Sequence, residues 1–122
     1  MKNYDAIVIG FGKGGKTLAG EMANHGWKVA VVEKSDKMYG GTCINVGCIP
    51  TKYLIIEAGK NKFKKLNSIE EYAEVYRNTI EKKNELISLF RKKNYDNLND
   101  RENIDIYTGE GSFVNEKIIE IK

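Results

Sequence analysis

Cys43 and Cys48 are the only cysteines in the chain, and four residues separate them. They sit in the run Gly40-Gly41-Thr42-Cys43-Ile44-Asn45-Val46-Gly47-Cys48-Ile49-Pro50-Thr51-Lys52. So short a loop gains little from closure, which makes the pair poor material for a structural staple and better material for a disulfide that opens and closes. An ideal helix rises ~1.5 Å per residue, so five steps would put the two Cα atoms ~7.5 Å apart, beyond the ~7 Å that a disulfide bridges without backbone movement. Closure therefore requires a distorted helix start, and Gly47, free of a Cβ, is placed to allow one. Two free buried thiols would satisfy the same spacing, so a second motif has to decide.

That motif opens the chain. Tyr4 to Ile9 is a short, apolar, β-branched run suited to a buried parallel strand. It leads into Gly10-Phe11-Gly12-Lys13-Gly14-Gly15, a Gly-x-Gly-x-x-Gly loop. A helix follows, with Leu18, Ala19, Met22 and Ala23 on its apolar face and Gly26 as its stop. Lys28 to Val32 reads as a second strand, ending at Glu33. This is a βαβ dinucleotide-binding pattern. Gly10 makes the tight turn, Gly12 lets backbone approach a pyrophosphate, and Gly15 allows close helix–strand packing. The helix N-terminus faces the phosphate charge. Glu33 can accept hydrogen bonds from a ribose, and its charge disfavours a 2′-phosphate. Glycine-rich turns are common, but a preceding strand, a following helix and an acid at the next strand's tip make this one specific. The loop alone does not separate FAD from NAD.

The glycine loop, Glu33 and the Gly40–Lys52 run together resemble the flavoprotein disulfide reductases: glutathione reductase, dihydrolipoyl dehydrogenase, mercuric reductase and their relatives. Weaker similarity continues through Thr108-Gly109-Glu110-Gly111-Ser112-Phe113, which resembles the family's turn beside the FAD adenine. In that family the first dinucleotide fold binds FAD and a later one binds NAD(P)H, so the resemblance implies FAD here. It implies that Cys48 lies against the flavin as the charge-transfer thiolate and that Cys43 is the interchange thiol that attacks the substrate. Thr42 and Lys52 would contact the flavin, with Lys52 near its redox-active edge. Lys13, Gly14, Lys34, Gly41 and Gly111 fall on the cofactor side of the same motifs. A cation at Lys52 and the start of a helix would both lower a thiol's pKa.

The resemblance also implies what lies outside this chain. Family members are several times longer than 122 residues. They add an NAD(P)-binding domain, a return of the chain that completes the FAD domain, and a dimerisation domain whose histidine–glutamate pair serves the partner's disulfide. The single histidine, His25, falls in the turn after the first helix and does not match that residue. Residues 1–122 are expected to be the N-terminal part of an FAD-binding domain, inactive alone, from a homodimeric enzyme. The wording Met38-Tyr39-Gly40-Gly41, with the Lys13-Gly14-Gly15-Lys16 loop, resembles bacterial reductases that deal with reactive chlorine or hypothiocyanite. A dihydrolipoyl dehydrogenase, a non-catalytic dinucleotide-binding module and an NAD-binding fold with incidental thiols stay open.

Composition points the same way. The first apolar run is too short for a secretory signal, and nothing approaches the ~20 apolar residues of a membrane span. Two cysteines outside a secreted context favour redox use and a cytoplasmic location. Two cysteines and one distant histidine fall short of a zinc site. Twenty basic and 17 acidic residues, a net charge of +3, are too balanced to argue for nucleic acid. The expected partner is a small disulfide or oxidised-sulfur compound.

The middle of the chain reads as helical. Thr51 to about Lys65 continues the redox helix, and Tyr53, Leu54, Ile55, Ile56 and Ala58 offer enough apolar surface to bury most of its circumference. Ser68 with Glu71 forms a capping-box pattern. A second helix runs from Ile69 to about Asn94, with Tyr72, Val75, Tyr76, Ile80, Ile87 and Phe90 at helical spacing as a core stripe. The polar residues 94–103 read as a loop. Ile104 to Tyr107 reads as a third parallel strand, and Gly111–Val114 with Lys117–Ile121 as a hairpin. The expected architecture is α/β: an incomplete, three-layer Rossmann-type FAD fold with a helical excursion and a β-hairpin.

Overall fold

The computed structural model describes residues 1–122. Its elements are β1 (Ala6–Ile9), α1 (Lys13–Asn24), β2 (Val29–Glu33), α2 (Thr42–Asn45), α3 (Cys48–Asn61), α4 (Ile69–Asn99), β3 (Ile104–Thr108), β4 (Gly111–Asn115) and β5 (Ile118–Ile121). The first three strands form one parallel sheet in the order β1-β2-β3. Central β2 is apolar at every position but its last, as a strand covered on both faces requires.

Register sorts the side chains. Val8, Val31 and Ile106 are aligned across the sheet, as are Val29 and Ile104, and this face meets Phe11, Ala19 and Ala23 beside α1 and Leu98 of α4. Ile7, Ala30, Val32 and Tyr107 face the other way, toward the β4–β5 hairpin, across a cleft of about 640 Å³. Helices, parallel sheet and hairpin thus make three layers. The fully buried Phe11, Val29, Val31 and Val32 anchor the sheet, each worth roughly 1.5–3 kcal/mol of burial.

Several expectations change. Leu18 is 56% exposed, so the buried face of α1 is narrower than its apolar pattern. Helix α3 stops at Asn61 and buries only Pro50, while Ile55 and Ile56 stay exposed. On α4 Ile87 is buried, but Tyr72 and Tyr76 are exposed, and both buried positions, Ile87 and Leu98, lie in the C-terminal half of that helix. Helix α4 also continues through residues 94–99, expected to be loop, because Tyr95 and Leu98 find tertiary partners there. Its start is as expected: Ser68 Oγ accepts from Glu71 N–H at 3.2 Å, and Glu71 Oε2 accepts from Asn67 N–H at 2.8 Å.

Candidate functional site: the glycine loop and the cysteine turn

The loop between β1 and α1 is held from below and left open above. Gly10 N–H donates to the Val32 carbonyl at 2.7 Å. A Cβ on Gly15 would overlap the Gly10 carbonyl oxygen, so glycine is obligatory where α1 passes under the turn. Gly12 differs: its φ of −75° suits any residue, and a Cβ there would meet nothing within 4 Å. The chain gives no internal reason for glycine at that position. The start of α1 has no side-chain cap and no acid in its first turn, which leaves its N–H groups free to receive an anion. Glu33 ties the loop down, Oε2 accepting from Phe11 N–H at 2.8 Å and Oε1 from Ser35 N–H at 3.2 Å. Each carboxylate oxygen keeps capacity for a second hydrogen.

The cysteine turn is laid directly on this loop. Gly40 N–H donates to the Phe11 carbonyl at 3.0 Å. A Cβ on Gly41 would stand 2.7 Å from Gly12 Cα and 3.4 Å from Lys13 N, and Gly41 has φ +86°. The two glycine segments therefore touch backbone to backbone. Asn45 Nδ2 donates to the Tyr39 and Gly41 carbonyls at 3.0 and 2.8 Å, and its Oδ1 accepts from Arg91 Nε at 2.8 Å. Tyr39 stacks against Phe11 and Tyr95, with centroids 5.4 and 4.8 Å away. Lys16 donates to Asn94 Oδ1. Arg91, Asn94 and Tyr95, one face of α4, thus brace the turn. Sequence reading had Arg91 and Asn94 on the expected helix without a role and left Tyr95 in the loop beyond it; their i, i+3, i+4 spacing was the available signal.

The distortion expected between the cysteines is present. Helix α2 ends after Asn45, both Val46 and Gly47 N–H groups donate to the Thr42 carbonyl (3.0 and 2.8 Å), and α3 starts at Cys48. A Cβ on Gly47 would crowd that carbonyl oxygen at 3.3 Å. Cys43 is half-buried and Cys48 exposed, and both are free thiols. A hydrogen bond with the Cys48 thiol, followed by burial, pushes the Cys43 thiol above its ordinary range. Lys13 and the Cys48 backbone N–H pull the other way. The start of α3 thus acts on Cys43 in the expected direction, and so does a cation from α1, Lys13.

A family model for pyridine nucleotide-disulphide oxidoreductases matches residues 4–120. The chain belongs to that family. Enzymes of this oxidoreductase family use FAD and NAD(P)H. The chain is 46% identical over 115 residues to the probable pyridine nucleotide-disulfide oxidoreductase RclA of Escherichia coli K12, covering 94% of this chain and 23% of that protein. It is 34% identical over 124 residues to mercuric reductase of Bacillus cereus, covering 98% of this chain and 19% of that protein. A solved Cu(II) complex of the HOCl-induced flavoprotein disulfide reductase RclA from Escherichia coli superposes with a TM-score of 0.84 at 43% identity, over all of this chain and 25% of that one. The chain therefore spans about a fifth to a quarter of the length of these relatives.

Within this oxidoreductase fold the structure gathers Gly10, Gly12, Lys13, Gly14, Gly15, Glu33, Gly41, Thr42, Cys43 and Cys48 around one junction. Lys52 is exposed on α3, one turn beyond Cys48 and on the same helical face. Lys34 and Gly111 lie apart from the thiols, where β2 meets the hairpin: Lys34 pairs with Glu110 at 3.1 Å, and a Cβ on Gly111 would meet Val32 Cγ1 at 3.1 Å. His25 is on the surface, as expected, 3.6 Å from Glu21. No helix is long and apolar enough to cross a membrane.

Proposed function

We propose that residues 1–122 are the N-terminal part of the FAD-binding domain of an NAD(P)H-dependent flavoprotein disulfide oxidoreductase, which reduces a small disulfide or other oxidised-sulfur compound in the cytoplasm. The NAD(P)-binding and dimerisation domains belong to the three-quarters or more of its relatives that this chain does not span, and the complete enzyme is a homodimer. The observation that carries the reading is the crossing of Gly41 over Gly12, which brings the thiol pair onto the dinucleotide loop.

The residues fit the cofactor. Gly12 leaves room that no atom of the chain fills, the start of α1 presents uncapped N–H groups to a pyrophosphate, and Glu33 keeps acceptor capacity for a ribose. Thr42 and Lys52 are exposed on the cysteine-bearing side, where a flavin would be met. When bound, FAD supplies a two-electron relay between a nicotinamide and the dithiol pair. The chain's own work is thiol–disulfide exchange. Cys43 gives up its proton, and its thiolate attacks one sulfur of the substrate disulfide, forming a mixed disulfide and expelling a thiolate that takes up a proton. Cys48 then loses its proton and attacks the Cys43 sulfur. The second substrate thiol leaves, and a Cys43–Cys48 disulfide remains. The break at Val46-Gly47 lets the two cysteines sit on separate helices, able to approach and part.

The test is titration of the purified chain with FAD and with NAD, followed by extraction and identification of what binds. FAD bound with a flavin absorption spectrum is expected. Colourless protein that takes up NAD at the glycine loop would overturn the reading.

A further inference from the structure

Cys43 stands on a helix that cannot hold itself. Helix α2 has four residues, Thr42–Asn45, and a single turn fixes more backbone than its few hydrogen bonds repay. Its last residue holds it instead. Asn45, two positions beyond Cys43, donates through Nδ2 to the Tyr39 and Gly41 carbonyls at 3.0 and 2.8 Å, which folds the glycine segment back onto the helix. Asn45 Oδ1 accepts from Arg91 Nε at 2.8 Å, so the same amide ties α2 to α4. Turned over, the amide would aim a donor at Arg91 and an acceptor at two carbonyls. The carbonyls and Arg91 thus select one orientation, and Arg91 adds an anchor that lies on a longer helix.

Cys48 is placed separately. It opens α3, beyond the break at Val46-Gly47. The thiol pair therefore sits on two independently held helices, one of which depends on Asn45. Arg91 shares a cavity of about 260 Å³ with the stacked rings of Tyr39 and Tyr95, so a side chain of similar length without the donor has room in its place.

We propose that Arg91 is a positioning residue for disulfide exchange: through Asn45 it holds Cys43 in place against Cys48, and so sets how readily their disulfide is reduced. The proposal rests on the reading of the two thiols as an exchanging pair, and adds what fixes the equilibrium of that pair. While the turn is held, little freedom remains to be lost when the sulfurs join, and each thiol acts on the other at high effective concentration. Without the brace the dithiol form gains freedom that the cross-linked form cannot. The disulfide then becomes easier to reduce.

The experiment equilibrates the full chain in mixtures of reduced and oxidised glutathione and measures dithiol and disulfide forms after acid quenching. The Cys43 thiolate attacks glutathione disulfide and expels one glutathione thiolate; the Cys48 thiolate attacks the Cys43 sulfur and expels the other. The pair loses two electrons and glutathione disulfide gains them. Arg91→Met keeps the length of the side chain up to the position of Nε and removes the donor. Arg91→Gln places an amide N–H where Arg91 has Nε–H, keeping the donor and removing the charge. Arg91→Met is expected to shift the equilibrium roughly threefold to tenfold toward the dithiol, the range that one such hydrogen bond allows. Tenfold corresponds to a potential ~30 mV less negative. Arg91→Gln is expected to stay near the parent. Arg101→Met controls for general loosening, since Arg101 fastens the chain to α1 through the Gly20 carbonyl at 3.0 Å and Asn24 Oδ1 at 2.6 Å, and it should leave the equilibrium unchanged. Circular dichroism checks that each variant is folded, and Arg91→Leu decides if Arg91→Met is not. An equilibrium unmoved by loss of the donor, or moved toward the disulfide, overturns the proposal. So does an equal shift in Arg91→Gln, which would make charge the cause, or in Arg101→Met, which would make it lost stability. A parent chain that forms no Cys43–Cys48 disulfide in any mixture sinks the exchange reading itself, and the proposal with it.

Discussion

Gly41→Ala attacks the junction on which the site depends. Gly41 has φ +86° and ψ −175°, a region that essentially only glycine occupies. Holding alanine there costs ~1–3 kcal/mol, and its Cβ would lie 2.7 Å from Gly12 Cα, an overlap with backbone that no rotamer relieves. Overpacking of that kind adds ~1–3 kcal/mol, for a combined cost of about 2–6 kcal/mol. The control is Gly26→Ala: φ is +85° there too, but a Cβ would meet nothing within 4 Å. Only the left-handed conformation is penalised at that position, at about 1–2 kcal/mol. The assay is urea unfolding followed by circular dichroism. Taking a loss of ~4 kcal/mol and a slope of ~2 kcal/mol per molar, the Gly41→Ala midpoint should fall by about 2 M, well beyond the control. A chain that relieved the overlap by lifting residues 40–45 off the loop would instead react faster at its thiols with a neutral disulfide. Equal midpoints for the two variants, with unchanged thiol reaction rates, would refute the backbone crossing.

Gly12→Leu should cost no more than about 1 kcal/mol of stability, the loss of glycine as the N-cap of α1, since its Cβ enters open space at an ordinary φ. It should nevertheless cost the chain its flavin, and a variant that holds FAD as tightly as the parent would show that Gly12 does not line the cofactor. Cys48→Ala removes the hydrogen bond that does most to raise the Cys43 thiol while leaving Lys13 in place, so the pH midpoint for alkylation of Cys43 should move down. Iodoacetamide rates across pH measure it, and an unmoved midpoint assigns the shift to burial instead. Ser68→Ala removes the cap of α4 and should cost about 1 kcal/mol in the urea midpoint; no change would mean that helix is held by its packing alone.

The parts legible in the sequence were those whose physics is local. Strand, glycine loop, helix and acid-tipped strand follow one another within 33 residues, and each carries its own stereochemical reason. The Ser68 cap and the hairpin were readable for the same cause. What escaped was decided by partners distant in the chain. Asn94, Asn97 and Asn99 have weak helical preference, yet α4 persists because Tyr95 stacks on Tyr39 and Leu98 enters the core. Periodicity marked Ile55, Ile56, Tyr72 and Tyr76 as apolar but could not say whether a neighbour covers them, and in this fold none does. A cation lowering a thiol's pKa was expected at Lys52, inside the cysteine motif; the influence of Lys13 on Cys43 was not legible, because it comes through a contact between segments almost thirty residues apart.

The brace from α4 sets an order of assembly. Both motifs are complete in the nascent chain once Lys52 has been added, so the glycine loop, Glu33 and both cysteines already exist. Their relative placement does not, because Asn45 waits for Arg91, Lys16 for Asn94 and Tyr39 for Tyr95. Central β2 likewise lacks its second neighbour until β3 is made. Until those residues leave the ribosome, the thiols travel on a tether with nothing to seat it. They are then open to oxidants and to one another. The interval between the addition of Lys52 and the emergence of Thr108 from the ribosome is thus the period when the two thiols are most exposed to accident.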